Sequence, residues 1–204
     1  MIFDDDIEFR YSIDMAFPGL GDSLPQPDPA DSLGGYISTT EWPNSTKHSL
    51  FDKLTLAEDA ALQDQYRCIF VLNKGIDIWK DVRIWVPASV AGGADVYIAH
   101  DTFGVREKGS GPGRQCQAVS PEVNAPLNCE NCYNFPVCDY GSSGFVYTPS
   151  AVDYESGLIF YYGEDQAVVY PNDCFAVWIR RRPTASGTFS DDGFTLGVGG
   201  YLGP

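Results

Sequence analysis

Histidine is scarce in this chain of 204 residues, with only His48 and His100 present, so a histidine-based acid–base relay has little material to work with. His100 adjoins Asp101, but neighbours along a strand point to opposite faces, which keeps the pair from acting as a base and its orienting carboxylate. Basic residues are also few. Thirteen Lys and Arg stand against 28 Asp and Glu, a formal charge of −15, and such a field repels phosphate backbones and anionic lipid surfaces. Neither nucleic acid nor a membrane is an expected partner. No run approaches the roughly 18 apolar residues of a spanning helix. The start Met1-Ile2-Phe3-Asp4-Asp5-Asp6 lacks the basic and apolar regions of a secretory signal, so cytosolic synthesis with reduced thiols is expected. Catalytic motifs are missing too. Gly141-Ser142-Ser143-Gly144 lacks the spacing of a nucleophile elbow, and Gly109 to Arg114 lacks the Lys-Ser/Thr that completes a phosphate loop. Among the many acids no spacing singles out a carboxylate pair for sugar hydrolysis. These gaps predict a protein that is not an enzyme, with no catalytic or cofactor-binding residues.

What is present favours strands. Hydrophobic residues make up 44% of the chain, and 21 Gly with 14 Pro point to many turns and few long helices. The organising stretch runs from Leu50 to Val86. Within it, Tyr66 to Leu72 is an almost unbroken apolar run, predicting a strand buried on both faces or on one face plus an interface. Asn73-Lys74-Gly75 reads as the turn of a hairpin. Val82, Ile84 and Val86 then alternate with Arg83 and Trp85, as a strand with one wet face requires. Further strands are predicted at 95–99, 158–162, 167–170, 174–179 and 194–198, with a short tail after them and one helical turn or two at 54–62. Repeated short strands between turns predict an all-β protein: an antiparallel β-sandwich, Ig-like or jelly-roll-like. Residues 1–49, rich in Pro and Gly, are expected to form an extended N-terminal arm with one short strand at Ile7–Ile13. Phe9, Tyr11, Met15, Phe17 and Leu20 make that arm apolar enough to pack on its own domain or on a neighbouring subunit. The sandwich domain is placed at 50–204, with an irregular loop insertion at 106–144.

That insertion carries Cys116, Cys129, Cys132 and Cys138, spaced C-x12-C-x2-C-x5-C. Four thiolates can enclose a structural zinc, two disulfides can form after oxidation, or the thiols can remain unconnected; in each case the role is structural. Cys68 and Cys174 fall in separate strands, where buried thiols packing as small apolar groups or a bridge between sheets are the alternatives. Tyr66-Arg67-Cys68 is similar to the Tyr-x-Cys of immunoglobulin domains, in the wrong order for an antibody-type domain. Trp79 and Trp85 with Tyr97, Tyr161 and Tyr162 are candidates for a sugar-stacking face or, more simply, cross-strand pairs. Arg180-Arg181-Arg182 is a basic spot suited to neutralising acidic neighbours or the acidic arm of another copy.

Five blocks also resemble a known group. Asp28-Pro29-Ala30-Asp31-Ser32-Leu33-Gly34-Gly35, Leu50-Phe51-Asp52 with Ala57-Glu58, Tyr66-Arg67-Cys68-Ile69-Phe70-Val71-Leu72-Asn73, Cys174 to Arg181, and Asp192-Gly193-Phe194-Thr195-Leu196 resemble a family of small virion structural proteins of tailed bacteriophages. The resemblance implies a non-enzymatic virion component made in the host cytoplasm, with other virion proteins and copies of itself as partners. A capsid cement or decoration role fits an acidic sandwich best. The alternative is a carbohydrate-binding or host-adhesion module of the tail or fibre, which predicts a solvent-exposed Trp79 or Trp85.

Overall fold

The computed structural model describes residues 2, 4–13, 29–43, 49–89, 94–101, 105–108, 116–127, 129–134, 137–140, 146–147, 153–159, 161–162, 165–166, 168–184 and 194–203. In chain order the first elements are β1 (Ile7–Ile13), β2 (Tyr36–Glu41), α1 (Leu56–Ala61), β3 (Gln65–Asn73), β4 (Ile78–Ser89) and β5 (Ala94–Asp101). Then come the short β6 (Arg106–Glu107), β7 (Cys129–Asn134), β8 (Val137–Tyr140), β9 (Val146–Tyr147), β10 (Leu158–Ile159), β11 (Tyr161–Tyr162) and β12 (Asp165–Gln166). Two long strands close the chain, β13 (Asp173–Pro183) and β14 (Phe194–Gly203).

The strands build an antiparallel β-sandwich. One sheet has the order β2-β1-β3-β13-β5-β7-β8, with β6 beside β13 and β9 beside β5; the second has the order β10-β4-β14; β11 and β12 form a separate ribbon. At the centre of the large sheet β3 lies against β13, in register from Leu72 opposite Cys174 to Gln65 opposite Arg181. Every residue of β3 is buried, as its unbroken apolar run predicts. The two faces of this pair lie in different cores. Ile69, Val71, Phe175, Val177 and Ile179 meet Val82, Ile84, Val86, Leu158 and Leu196 of the small sheet. Cys68, Phe70, Leu72, Cys174, Ala176 and Trp178 lie on the other face with Ile37, Cys116 and Val119. Among the described residues, the non-strand segments around Leu33 and at 116–119 cover this second face.

Those covering segments are tied down by buried polar contacts. The Ser12 amide donates to Ser32 Oγ (2.9 Å), the Gly34 amide donates to Ser12 Oγ (2.8 Å), and Ser32 Oγ donates to the Cys68 carbonyl. The Cys68 amide returns a bond to the Ser32 carbonyl at 2.7 Å. From this anchor the 116–119 segment docks by amide bonds from Cys116 to the Gly35 carbonyl (3.0 Å) and from Val119 to the Leu33 carbonyl (2.9 Å). Gly34, at φ 91°, has no room for a side chain, since a Cβ would meet the Gln117 carbonyl and the Trp178 ring.

Three expectations change in the structure. The 66–86 stretch is not a hairpin: β3 and β4 lie in different sheets, because a strand buried on both faces needs a second sheet above it. Asn73 fixes the crossing, its Nδ2 donating to the carbonyls of Asp77 (2.8 Å) and Val169 (3.1 Å) and its Oδ1 accepting from the Gly75 amide (3.0 Å). Residues 199–203 are not a tail but the second half of β14, opposite Arg83 to Ile78. Finally, Trp79 is fully buried in the core between the sheets, which removes it from any solvent-facing site. The strand expected at Ile7–Ile13 forms with those bounds and pairs with β3, while Tyr36–Glu41 adds an edge strand beside it. The described part of the 1–49 arm is thus laid into the sheet of its own domain; residues 14–28 and 44–48 lie outside the described residues. Within 106–144 the described residues include β6, β7 and β8 as well as the covering segment. The short helix at 56–61 starts at Thr55, whose Oγ1 accepts from the Glu58 amide (3.3 Å) while Glu58 Oε2 accepts from the Thr55 amide (2.7 Å), a reciprocal cap.

Gly34→Ala is expected to lower stability by more than about 2 kcal/mol, from backbone strain together with the steric conflict at Trp178. The shift in urea midpoint measures it, and an unchanged midpoint would contradict the docking described here.

Candidate functional site

Among the described residues, charged side chains gather where β3 begins and β13 ends. Four guanidiniums are placed there by strand alternation. Arg67 and Arg181 fall on the face toward the small sheet, and both lie over the Phe51 ring, at 5.3 and 4.7 Å from its centroid. Arg180 and Arg182 fall on the opposite face and both lie over Tyr97, at 3.8 and 5.5 Å. Each core thus ends in an aromatic ring capped by two cations, an arrangement that satisfies planar guanidinium better than it would the point charge of a lysine.

Acids and amides complete the network. Arg182 makes a two-pronged contact with Asp64, Nε to Oδ1 and Nη2 to Oδ2, both at 2.7 Å, and Arg180 stands 4.0 Å from the same carboxylate. Arg67 pairs with Glu122 and donates from Nε to the Leu50 carbonyl at 3.1 Å. Arg181 donates to Gln65 Oε1 and to the Asp52 carbonyl, while Gln65 Nε2 donates to Glu58 (2.9 Å) and Glu122 (3.2 Å). Burial raises the Glu58 pKa, but hydrogen bonds from Thr55 and the field of Arg181 outweigh it and leave the carboxyl below its ordinary value. The basic spot of the sequence is therefore matched by acids of its own chain. The acidic start of the chain sits elsewhere, since Ile7 pairs with Asn73 at the far end of β3. With side-chain exposure of 3% at Arg67, 6% at Arg180 and 44% at Arg182, the cluster closes the ends of two cores and offers solvent essentially one guanidinium edge.

His100 and Asp101 behave as alternation requires. Asp101 accepts from Trp178 Nε1 (2.9 Å) and from the Gln117 amide (3.3 Å) in the second core. His100 stands opposite Val177, whose side chain belongs to the core between the sheets. Burial lowers its pKa from 6.5 to about 4, against a smaller opposing effect of a backbone hydrogen bond at Asp101. The two do not form a catalytic pair.

Cys68 and Cys174 are in adjacent strands of one sheet, not on facing sheets. Cys174 stands opposite Leu72, four residues from Cys68, or about 13 Å along the strand, so no bridge joins them. The Cys116 sulfur is fully buried, 3.6 Å from Cys68 Sγ. Cys129 and Cys132 lie on β7 and Cys138 on β8, but their side chains lie outside the described residues. Among the described residues no group of three or more His, Cys, Asp or Glu is gathered for a metal ion. Nothing in the residue pattern signals the Cys68–Cys116 contact, which joins residues 48 apart.

One aromatic group does face outward, on the small sheet. Trp85 lies half-buried over β14, where Gly197 and Gly199 leave room for its ring. Tyr154 meets it edge-on (6.0 Å, 88°) and meets the exposed Tyr201 in the same way (6.1 Å, 89°). Arg83 lies over the Tyr154 ring at 4.9 Å, and Tyr154 Oη donates to Asp81 Oδ2 at 2.7 Å. Tyr97, by contrast, is spent on the arginines. No protein-family model matches the chain, and neither a curated protein nor a solved structure does so.

The buried imidazole generates a pH dependence. Between pH 6.5 and 4 the unfolded chain binds a proton at His100 that the folded chain does not, so this contribution to stability is complete above 6.5 and lost as the pH falls. A loss of about 2 kcal/mol between pH 7 and pH 5 is expected from urea titrations. It should disappear in His100→Gln.

Proposed function

We propose that this chain is a non-enzymatic structural component of a tailed-phage virion, a capsid cement or decoration protein that contacts neighbouring virion subunits. One observation carries the reading: the blocks that resemble the phage family are the residues that interlock to hold this fold. Ser32 of the first block bonds the Cys68 carbonyl in the third. Phe51 and Asp52 of the second meet Arg67 and Arg181, and Glu58 reaches Arg181 through Gln65. The third and fourth blocks are the paired β3 and β13. Phe194, in the last, packs on Trp42 at 5.7 Å and Leu196 enters the core between the sheets. Motifs spent on mutual support describe a part whose task is to hold a shape. The excess of acid favours an outward-facing position over a nucleic-acid-lined one, with basic surfaces of neighbouring subunits as partners.

Electron cryo-microscopy of purified particles tests this. Ordered copies on the capsid lattice are expected; absence of the chain from the particle overturns the proposal.

The outward aromatic group favours a second reading, host adhesion through sugars, now confined to Trp85 because Trp79 is buried. Aromatic rings stack on the apolar faces of pyranoses, and Asp81 and Arg83 supply polar contacts alongside. On this reading the chain sits at tail or fibre tips and binds glycans on an array. Trp85→Ala would then reduce affinity at least tenfold, measured at a temperature where the variant is folded by circular dichroism.

A further inference from the structure

We propose that Cys68 and Cys116 are a disulfide-forming pair, a covalent staple between the central strand of the large sheet and the segment that covers its outer face. The proposal is independent of the virion reading.

Geometry carries it. The two sulfurs are 3.6 Å apart, and closing to a disulfide length near 2.05 Å requires them to approach by only about 1.5 Å. Both side chains are fully buried in one core, and both backbones are fixed on the same scaffold. The Cys68 amide is held by the Ser32 carbonyl and the Cys116 amide by the Gly35 carbonyl, at 2.7 and 3.0 Å. Ser32 and Gly35 lie three residues apart, so one short segment holds both cysteines in place. The Gly35 amide also donates to Cys116 Sγ at 3.2 Å, which aims the sulfur. Cys174 shares the core but lies four residues further along the sheet from Cys68, too far to bridge to it.

The chemistry needs an oxidant, and a low-molecular-weight disulfide such as glutathione disulfide suffices. One cysteine thiolate attacks a glutathione sulfur, forming a mixed disulfide and expelling one glutathione thiolate. The second cysteine thiolate attacks the protein sulfur of that mixed disulfide, forming the Cys68–Cys116 bond and expelling the other. The two cysteine protons end on the two glutathione thiols, and the two electrons lost by the protein reduce the glutathione disulfide. Because both thiols are buried once the covering segment docks, exchange takes place before docking or during its transient opening.

The bond would close a loop spanning 48 residues in sequence, long enough for a large effect on the unfolded chain. The full chain, equilibrated in glutathione redox buffer, is blocked by alkylation and digested without reduction by trypsin and a glutamyl endopeptidase. Cuts after Arg67, Arg114, Glu122 and Glu130 separate Cys68, Cys116, Cys129 and Cys132. The expected result is a linked pair of peptides bearing Cys68 and Cys116, with a melting temperature about 10 °C above that of the reduced protein. That increment should vanish in Cys116→Ala. Linkage of Cys116 to Cys129, Cys132 or Cys138, or alkylation of both Cys68 and Cys116 in the oxidised protein, overturns the proposal. Peptide mapping of the natural sequence decides the matter even where the variant folds poorly.

Discussion

The rest of the structure depends on the pairing of β3 with β13 and on the fact that neither strand has a wet face. A sheet whose central strands are apolar on both sides must be covered twice. Here the two covers are unlike: a second sheet on one side, and the irregular 29–35 and 116–127 segments on the other. Irregular chain makes a costly cover, because its backbone amides and carbonyls must be satisfied where no ladder supplies partners. Ser12, Ser32, Gly34 and Gly35 meet that demand in a small space, and for this reason buried hydroxyls, rather than larger polar side chains, stand at the join.

The ends of the same strands pose a different problem. Where β3 and β13 emerge from their covers, both cores would open to water at one edge. Guanidiniums over Phe51 and Tyr97 close them, while their donors reach Asp64, Glu122, Gln65 and backbone carbonyls. A three-arginine run in an acidic protein looks like a binding patch until its rings and acids are located. The charge is local accounting within the chain.

Much of this was legible in the residues, and the misses have physical causes. Unbroken and alternating apolar patterns identified β3 and β4 because burial acts directly on side-chain chemistry. The link between them differs from the expected hairpin because Asn73-Lys74-Gly75 signals a reversal without signalling which sheet receives the next strand; that depends on Asn73 finding Val169, a residue 96 positions on. Glycine misled at 199–203, where a low strand propensity was outweighed by pairing with β4 and by an aromatic neighbour that needs the empty space. The spacing of Cys116, Cys129, Cys132 and Cys138 holds no sign that the Cys116 sulfur lies against Cys68. Short-range spacing carries no information about contacts made across a fold. Trp79 and Trp85, six residues apart, lie on opposite sides of a strand with irregular pairing, one in the core and one over glycine.

The seat of Trp85 has an evolutionary consequence. Gly197 and Gly199 are empty because the indole fills the space above them, and the indole keeps its position because they are empty. Neither partner can drift alone: a methyl group at Gly197 would collide with the ring, and a smaller residue at 85 would leave a bare glycine trough on the sheet. Descendants of this sequence should change the three positions in concert, exchanging one bulky residue on β4 for side chains on β14, so that the relief of this face persists while its chemistry is replaced.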